Sequence, residues 1–416
     1  MFENRIKYID KLSKKDILKQ LVNLKQLTFE LTDACNLQCK YCGYGELYST
    51  HDKRENLYLD FSIAKQIIDY LYEIWNCYPS FSSQRIIVLG FYGGEPLLNM
   101  KLIKQIVSYL ESLPIIPNTH FKYNMTTNAV LLDKYQDYLV EKNFDILISL
   151  DGDSDGHSYR IYKHGGNSFN KVYSNIKKLQ QKYPSFFQDH VSFNSVLHDR
   201  NETHKIRQFI YSNFGKYPNI SELNNFGIVK NKVEDFRRMF HRKELDIKIS
   251  DTDYFDNSSK KMELFRIVKY LSGNYFYGYN SLLKTQTHYQ YPSGTCLPFE
   301  KKMFITVRGK ILACERIDQK YALGIVTPNG VFIDLEKVAS LYTNFYKKMI
   351  TVCKDCYRKD FCSQCIFYIP DIDKGPFNCP SFLSKKDAEE YIDSYIQILR
   401  QRPDLYVNIS KMLFQS

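Results

Sequence analysis

Tryptophan is nearly absent from this sequence: Trp75 stands alone beside 34 tyrosines and 28 phenylalanines. No apolar run approaches the roughly 20 residues a membrane-spanning helix needs, which excludes a spanning segment. The opening stretch, MFENRIKYIDKLSKKD, has no apolar core and so is no secretory signal peptide. Lysine and arginine never form a long tract, and no nucleic-acid-binding motif is present, which sets that class of function aside. The formal net charge of +11 therefore reads as a solvated surface, with an electropositive channel for an acidic peptide as the alternative. Internal repeats and low-complexity tracts are missing too. A chain without an export signal is expected in the cytoplasm, where thiols stay reduced. Eleven cysteines there point to metal or redox chemistry rather than to a disulfide framework.

What is present is a chain of 416 residues, enough for a large core and two domains. After a helical approach over residues 1–24, strands and helices alternate. Strands are expected over 25–32, 85–91, 120–127, 144–152, 190–197 and 221–229, the second as an apolar run buried on both faces. Helices are expected over 60–75, capped by Asp60, and over 101–113, 134–143, 170–183 and 202–214. Six such units over residues 25–229 imply parallel strands with right-handed crossovers, an α/β fold shaped as a partial (β/α)6 barrel. Chemistry in such folds gathers at the C-terminal ends of strands. The unusual loops lie there: three cysteines after the first strand, GGEP after the second, TTN after the third and SLDG after the fourth. Residues 230–285 read as a helical bridge, 286–385 as a cysteine-rich domain and 386–416 as a C-terminal helical segment, with one closing helix over 386–408. Cys77 reads as a small buried apolar residue.

Cys35, Cys39 and Cys42 sit in the loop LTDACNLQCKYCGYGEL. Such a loop can wrap one face of a cubic iron–sulfur cluster and leave the fourth iron without a protein ligand. An open metal position separates a catalytic site from a closed structural one. Part of a zinc knuckle is the other reading of three close cysteines taken alone.

CNLQCKYC resembles the signature of the radical S-adenosylmethionine (radical SAM) superfamily, with Tyr41 as the aromatic residue before the last cysteine. The resemblance implies that the amino and carboxylate groups of SAM chelate the open iron. It further implies that SAM is cleaved reductively to methionine and a 5′-deoxyadenosyl radical, which takes a hydrogen atom from the substrate. Gly93, Gly94, Glu95 and Pro96 resemble the family's GGEP segment, which holds the methionine ammonium; paired glycines permit close backbone approach. SLDGDSDGHSYR resembles the stretch that contacts the SAM ribose and carboxylate, with Ser149 and Arg160 in the matching places. The family more often has proline after DG, and "HD" where this chain has His157-Ser158.

The second cysteine set runs Cys296, Cys314, Cys353-x-x-Cys356, Cys362-x-x-Cys365 and Cys379. On spacing alone it suits zinc or iron–sulfur equally. Following a radical SAM domain, it resembles a SPASM domain with two auxiliary [4Fe–4S] clusters, three clusters in all. That pattern assigns Cys296, Cys314 and Cys365 to the first, without an evident fourth ligand, and Cys353, Cys356, Cys362 and Cys379 to the second.

Enzymes of this kind mostly modify peptides. GTCLPFEKKMFITVRGKILACERI looks most like the maturases of ribosomally made peptides, which form thioether or carbon–carbon cross-links. Formylglycine formation of the anaerobic sulfatase-maturase kind and a non-catalytic metal-binding peptide scaffold are the alternatives. A peptide substrate, a leader-binding partner protein and a reductant such as flavodoxin or ferredoxin are the implied partners. Glu315, next to Cys314, matches the place of the sulfatase maturases' proton-accepting aspartate and is a candidate general base. Its plainer role is an ion pair with Arg316 or Lys310.

Overall fold

The computed structural model describes residues 6–78, 85–241, 264–265, 267–268, 288–359 and 362–415. The chain forms two compact units, one of residues 18–246 and 297–334, the other of residues 1–17, 247–296 and 335–416. The boundary expected at residue 286 therefore does not coincide with the division into units, because residues 297–334 join the barrel's own sheet.

In the first unit, β2 (Gln26–Glu30), β3 (Arg85–Tyr92), β4 (Thr119–Thr127), β5 (Asp145–Ser149), β6 (Val191–Leu197) and β7 (Asn219–Glu222) pair in chain order, all parallel. Strand order equal to chain order, with a crossover at every step, is the pattern of a barrel rather than of a doubly wound sheet. The barrel stays open, since β2 pairs on its far side with β9 (Lys302–Ile305), not with β7. Antiparallel β10 (Lys310–Leu312), β11 (Gly324–Thr327) and β12 (Gly330–Ile333) extend the sheet to ten strands.

Helices α2 (Phe61–Cys77), α3 (Met100–Ser112), α4 (Leu132–Glu141), α5 (Phe169–Lys182) and α7 (Thr203–Phe214) form where the 3.6-residue apolar spacing places them. In α2 the Asp60 carboxylate accepts the Ser62 N–H at 2.7 Å, and Ala64, Ile67, Ile68, Leu71 and Trp75 make its buried stripe. The Trp75 indole donates to the Leu21 carbonyl at 3.1 Å.

Four expectations need correction. β3 is not buried on both faces: Ile86 is 45% exposed, because side chains alternate between faces and over Arg85–Val88 only one of the two faces is covered. The sixth strand is four residues long, Asn219–Glu222, and residues 227–229 instead pair with residues 47–49, just beyond the cysteines. Cys77 is exposed, at the last position of α2. The closing helix is two, α10 (Lys385–Gln401) and α11 (Pro403–Gln415); proline has no N–H to continue the ladder but suits a first turn. A short helix, α6 (Pro184–His190), was not expected. Of the bridge, α8 (Val233–Met239) is described; most of the rest lies outside the described residues.

The second unit holds the parallel pair β1 (Ile6–Tyr8) and β8 (His288–Gln290) and the helices α9 (Leu335–Cys353), α10 and α11. A small core gathers Leu264, Ile267, Val268, Tyr395, Leu405 and Ile409. Among the described residues no helix is long and apolar enough to cross a membrane.

Candidate functional site

The loop after β2 carries Cys35, Cys39 and Cys42, all half-buried. Its backbone is tied down along its length. Gln38 N–H donates to the Ile161 carbonyl at 2.7 Å, Lys40 N–H to Tyr159 at 3.1 Å and Gly45 N–H to Cys42 at 2.7 Å. From the far edge of the barrel, Val229 N–H donates to the Leu47 carbonyl at 2.9 Å and Ser49 N–H to that of Gly227 at 2.9 Å. Tyr41, Leu47, Tyr48, Tyr159, Leu223, Phe236 and Met239 form an apolar cluster against which Cys39 packs.

The glycine pair is packed against the chain that leads into the cysteines. Gly93 has φ +131°, and a Cβ there would meet the Thr32 carbonyl oxygen at 2.3 Å; one on Gly94 would meet that of Ala34 at 2.0 Å. Gly94 N–H donates to Thr32 at 2.8 Å and Glu95 N–H to Ala34 at 3.0 Å. The close approach that demands glycine here is thus to residues 32–34.

Pro96 starts a single 3₁₀ turn, and the Glu95 carboxylate caps it by accepting Leu97 N–H at 3.1 Å. The same carboxylate accepts the Thr127 hydroxyl at 2.7 Å and Asn128 N–H at 2.8 Å, from the end of β4. Burial pushes its pKa up to about 7 against those three bonds. The Asn128 side-chain amide donates to the Asn36 side chain at 2.7 Å and lies 3.7 Å from Cys35 Sγ.

Ser149 ends β5 and is buried. Arg160 is buried as well, and its guanidinium is engaged along its Nε–Nη2 edge by both carboxylate oxygens of Asp151, with Nε–Oδ2 at 2.9 Å and Nη2–Oδ1 at 3.0 Å. Asp151 also accepts the Tyr41 hydroxyl and, at 2.9 Å, Val196 N–H. Burial works against the charge on Asp151, and the Arg160 guanidinium outweighs it, holding the carboxyl below its usual range. Tyr41 thus anchors the stretch between Cys39 and Cys42 to the end of β5. His157 supports the same turn from below. Its Nδ1 accepts Asp151 N–H at 3.4 Å and its Nε2 lies 3.1 Å from Ser168 Oγ. Burial lowers its pKa to about 3, so the ring is neutral and structural.

Three thiols on one short loop are a soft donor set suited to iron–sulfur or zinc. Among the described residues no three His, Cys, Asp or Glu side chains converge on a single ion; cluster ligands need not, since each binds a different iron. N–H donors face the sulfurs: Leu37 N–H to Cys35 Sγ at 3.4 Å and Arg54 Nη2 to Cys42 Sγ at 3.5 Å. Such donors offset thiolate charge around a cluster, so the residues fit a [4Fe–4S] group. Without metal, burial pushes Cys35 up to about 11 and Cys39 to about 12.

Cys314 follows β10, and burial raises its thiol to about 12. Glu315 pairs with neither expected cation as its main partner: Lys302 Nζ lies 2.8 Å from Oε2, whereas Arg316 reaches only 4.0 Å. The reason is register, since Lys302 opens β9, the strand that pairs with β10. Burial opposes ionisation of Glu315, and Lys302 overcomes it and lowers the pKa.

In the second unit, Cys353 ends α9, and the thiols of Cys356, Cys362 and Cys379 all bear electrostatically on it. Backbone N–H groups of Arg358 and Leu383 point at Cys356 Sγ at 3.4 and 3.5 Å, and that of Gln364 at Cys362 Sγ at 3.4 Å. Cys296 bears on Cys365 within this unit, while Cys314 belongs to the other. Asp151 and Arg54 were not singled out from sequence. The first lies inside SLDG, but the second gives no signal in the polar run HDKREN.

Residues 29–210 match the family model of the radical SAM superfamily. The chain is 23% identical over 237 residues to the radical SAM cyclopropyl synthase TigE of Paramaledivibacter caminithermalis, covering 55% of this chain and 46% of that protein. It is 24% identical over 162 residues to a cysteine-type anaerobic sulfatase-maturating enzyme of Clostridium novyi (38% and 41%). An uncharacterized protein of Methanocaldococcus jannaschii, MJ0907, is 35% identical over 143 residues (34% and 44%). The chain thus spans less than half the length of each of these relatives. Among solved structures, native anSMEcpe with bound AdoMet has the same fold, with a TM-score of 0.54 at 17% identity over 93% of this chain and 99% of that one.

Proposed function

From the premise that residues 29–210 are a radical SAM domain, we propose that this chain is a peptide maturase. In this reading it abstracts hydrogen from a ribosomally made peptide and installs a thioether or carbon–carbon cross-link. Cys35, Cys39 and Cys42 would hold a [4Fe–4S] cluster, with SAM at its open iron. When bound, the two supply reductive cleavage of SAM and a 5′-deoxyadenosyl radical that removes a substrate hydrogen. The chain's own residues orient the parts. The glycine pair and Glu95 fix the approach to Cys35, and Tyr41 and Asp151 fix the turn between Cys39 and Cys42. The Glu95–Pro96 turn follows β3 and Ser149 ends β5, with β4 between them, and SAM would lie across these ends. Arg160, engaged by Asp151, would hold the turn after β5 beside it. Cys296, Cys314 and Cys365, with Cys353, Cys356, Cys362 and Cys379, would carry two auxiliary clusters of a SPASM domain. Glu315, whose pKa Lys302 lowers, would accept a proton.

The single observation that carries the reading is the cysteine loop locked at a strand end, with N–H donors aimed at its sulfurs. A second reading, oxidation of a Cys or Ser in a protein substrate, is supported by the sequence likeness to the cysteine-type anaerobic sulfatase-maturating enzyme. A reductant of the flavodoxin or ferredoxin class, a peptide partner and a cytoplasmic setting complete the proposal. The test is anaerobic reconstitution, SAM cleavage under dithionite and mass spectrometry of co-expressed small peptides. Release of 5′-deoxyadenosine, its loss in Cys35→Ala and a mass change in a peptide are expected. Iron-loaded protein that leaves SAM intact would overturn the reading.

A further inference from the structure

Arg54 lies twelve residues beyond Cys42 in a polar stretch, yet its guanidinium is fixed against the cysteine loop. Nη2 is 3.5 Å from Cys42 Sγ, and the guanidinium carbon sits 4.9 Å from the centre of the Tyr44 ring. Nε is buried with no hydrogen-bond partner among the described residues. A charge half-withdrawn from water, with one edge on a sulfur and a face on an aromatic ring, acts on that sulfur, and it also bears on Cys35 and on the buried Glu30 carboxyl.

The backbone that carries it is clamped from both sides. Arg308 donates to the Lys53 carbonyl at 3.0 Å and to the Glu55 carboxylate at 2.7 Å. Lys310 reaches Asp52 at 2.8 Å. Asp33, two residues before Cys35, accepts Glu55 N–H at 3.0 Å and Leu57 N–H at 2.7 Å. Residues 52–57 are therefore braced by the turn between β9 and β10 and by the cysteine loop itself. The brace fixes the backbone from which the Arg54 side chain reaches Cys42, and the Tyr44 ring lies against its guanidinium.

We propose that Arg54 is a positioning residue that presents a fixed cation to the Cys42 thiolate and thereby sets how readily a bound iron–sulfur cluster accepts an electron. The inference rests on the proposed cluster at Cys35, Cys39 and Cys42 and goes beyond it, to the control of its potential. Reduction adds one negative charge to the cluster. A neighbouring cation stabilises the reduced form, and hydrogen bonds to the sulfurs act in the same direction. Arg54 would thus raise the midpoint potential, and no other atom or bond changes in the step.

The test is potentiometric titration followed by electron paramagnetic resonance, without SAM, on the full chain with its auxiliary cysteines replaced by alanine. Wild type, Arg54→Gln and Arg54→Lys are compared at equal iron content. At one fixed potential near the wild-type midpoint, Arg54→Gln should show about a tenfold lower reduced-to-oxidised ratio, or about 59 mV for a one-electron couple. Arg54→Lys should recover most of that loss, because the charge returns. A purely structural role for Arg54 would lower iron loading without moving the midpoint of what is loaded. Coincident midpoints for all three proteins overturn the inference, as does an Arg54→Lys midpoint that falls with that of Arg54→Gln below wild type. Should Arg54→Gln fail to load, Arg54→Met is titrated in its place, and a midpoint equal to wild type overturns the inference. Wild type that assembles no cluster overturns the proposed function and this inference together; a loaded but unshifted series overturns this inference alone.

Discussion

Asp151 and Arg160 face each other in a two-point ion pair, Nε–Oδ2 at 2.9 Å and Nη2–Oδ1 at 3.0 Å, with the carboxylate fully buried and the arginine side chain 9% exposed. An arginine read from sequence as a partner for an outside carboxylate is already engaged by one from its own chain. Removing one member of a buried pair strands the other's charge, at a cost of about 3–5 kcal/mol. Asp151→Asn is therefore expected to lose that much stability in denaturant unfolding. Adding Arg160→Gln should cost less than the sum of the two single changes. A loss under ~1 kcal/mol for Asp151→Asn would mean that Arg160 finds another partner or water.

The glycine pair makes a steric prediction. Gly94→Ala drives a Cβ to 2.0 Å from the Ala34 carbonyl oxygen, against backbone that cannot rotate away. Gly43, one residue past Cys42, has nothing within 4 Å of the same position. Gly94→Ala should cost at least the ~1–3 kcal/mol of an overpacked core and lose bound iron. Gly43→Ala should change neither by a measurable amount. Matching thermal midpoints and iron contents for the two would show that residues 32–34 are not held as described.

The parallel strands were legible because each is a short apolar run between amphipathic helices, and local pattern alone decides that. The six strands and five helices expected before residue 230 all exist, most within two residues of their predicted ends. What escaped was set at long range. β9 joins β2 across more than 270 residues, and no local pattern announces it. Glu315 finds Lys302 only because β9 and β10 pair, so a search among sequence neighbours offered Arg316 and Lys310 instead. The exposure of Cys77 likewise depends on where α2 ends, not on its apolar neighbours. Cysteine positions were plain from spacing, whereas the groups that orient them, Arg54, Asp151 and Asn128, are ordinary polar residues until the fold brings them near.

Lys302 gives a means of testing Glu315. Burial alone would raise the carboxyl, and the ammonium at 2.8 Å reverses this. Lys302→Met should return the pKa of Glu315 upward, so that the acidic limb of product formation against pH moves to higher pH. Glu315→Gln should slow product formation by ~10²-fold or more while 5′-deoxyadenosine release continues. Equal loss of product and of SAM cleavage would assign Glu315 to structure, and an unmoved pH profile in Lys302→Met would take the proton transfer elsewhere.

Glu30 ends β2 behind the cysteine loop and is 2% exposed, and burial pushes its pKa from 4.5 up to about 7. Its Oε2 accepts Val307 N–H at 2.8 Å, a bond that an amide oxygen could keep. A carboxyl whose pKa is higher folded than unfolded binds its proton more tightly in the native state. Its contribution is fully present below about pH 4.5 and is lost as pH rises through about 7. The whole span is worth about 3 kcal/mol at ~1.4 kcal/mol per pH unit. Glu30→Gln carries no such proton, so metal-free variant and wild type should differ by less than about 1 kcal/mol at pH 5. By pH 8 the variant should be the more stable by up to that whole span. Glu95, also pushed to about 7, is common to both proteins and cancels in the difference. Cys35 and Cys39 titrate far above this window. Unfolding curves that stay parallel from pH 5 to pH 8 would mean that the carboxyl at Glu30 is reached by water and ionises at its ordinary pH.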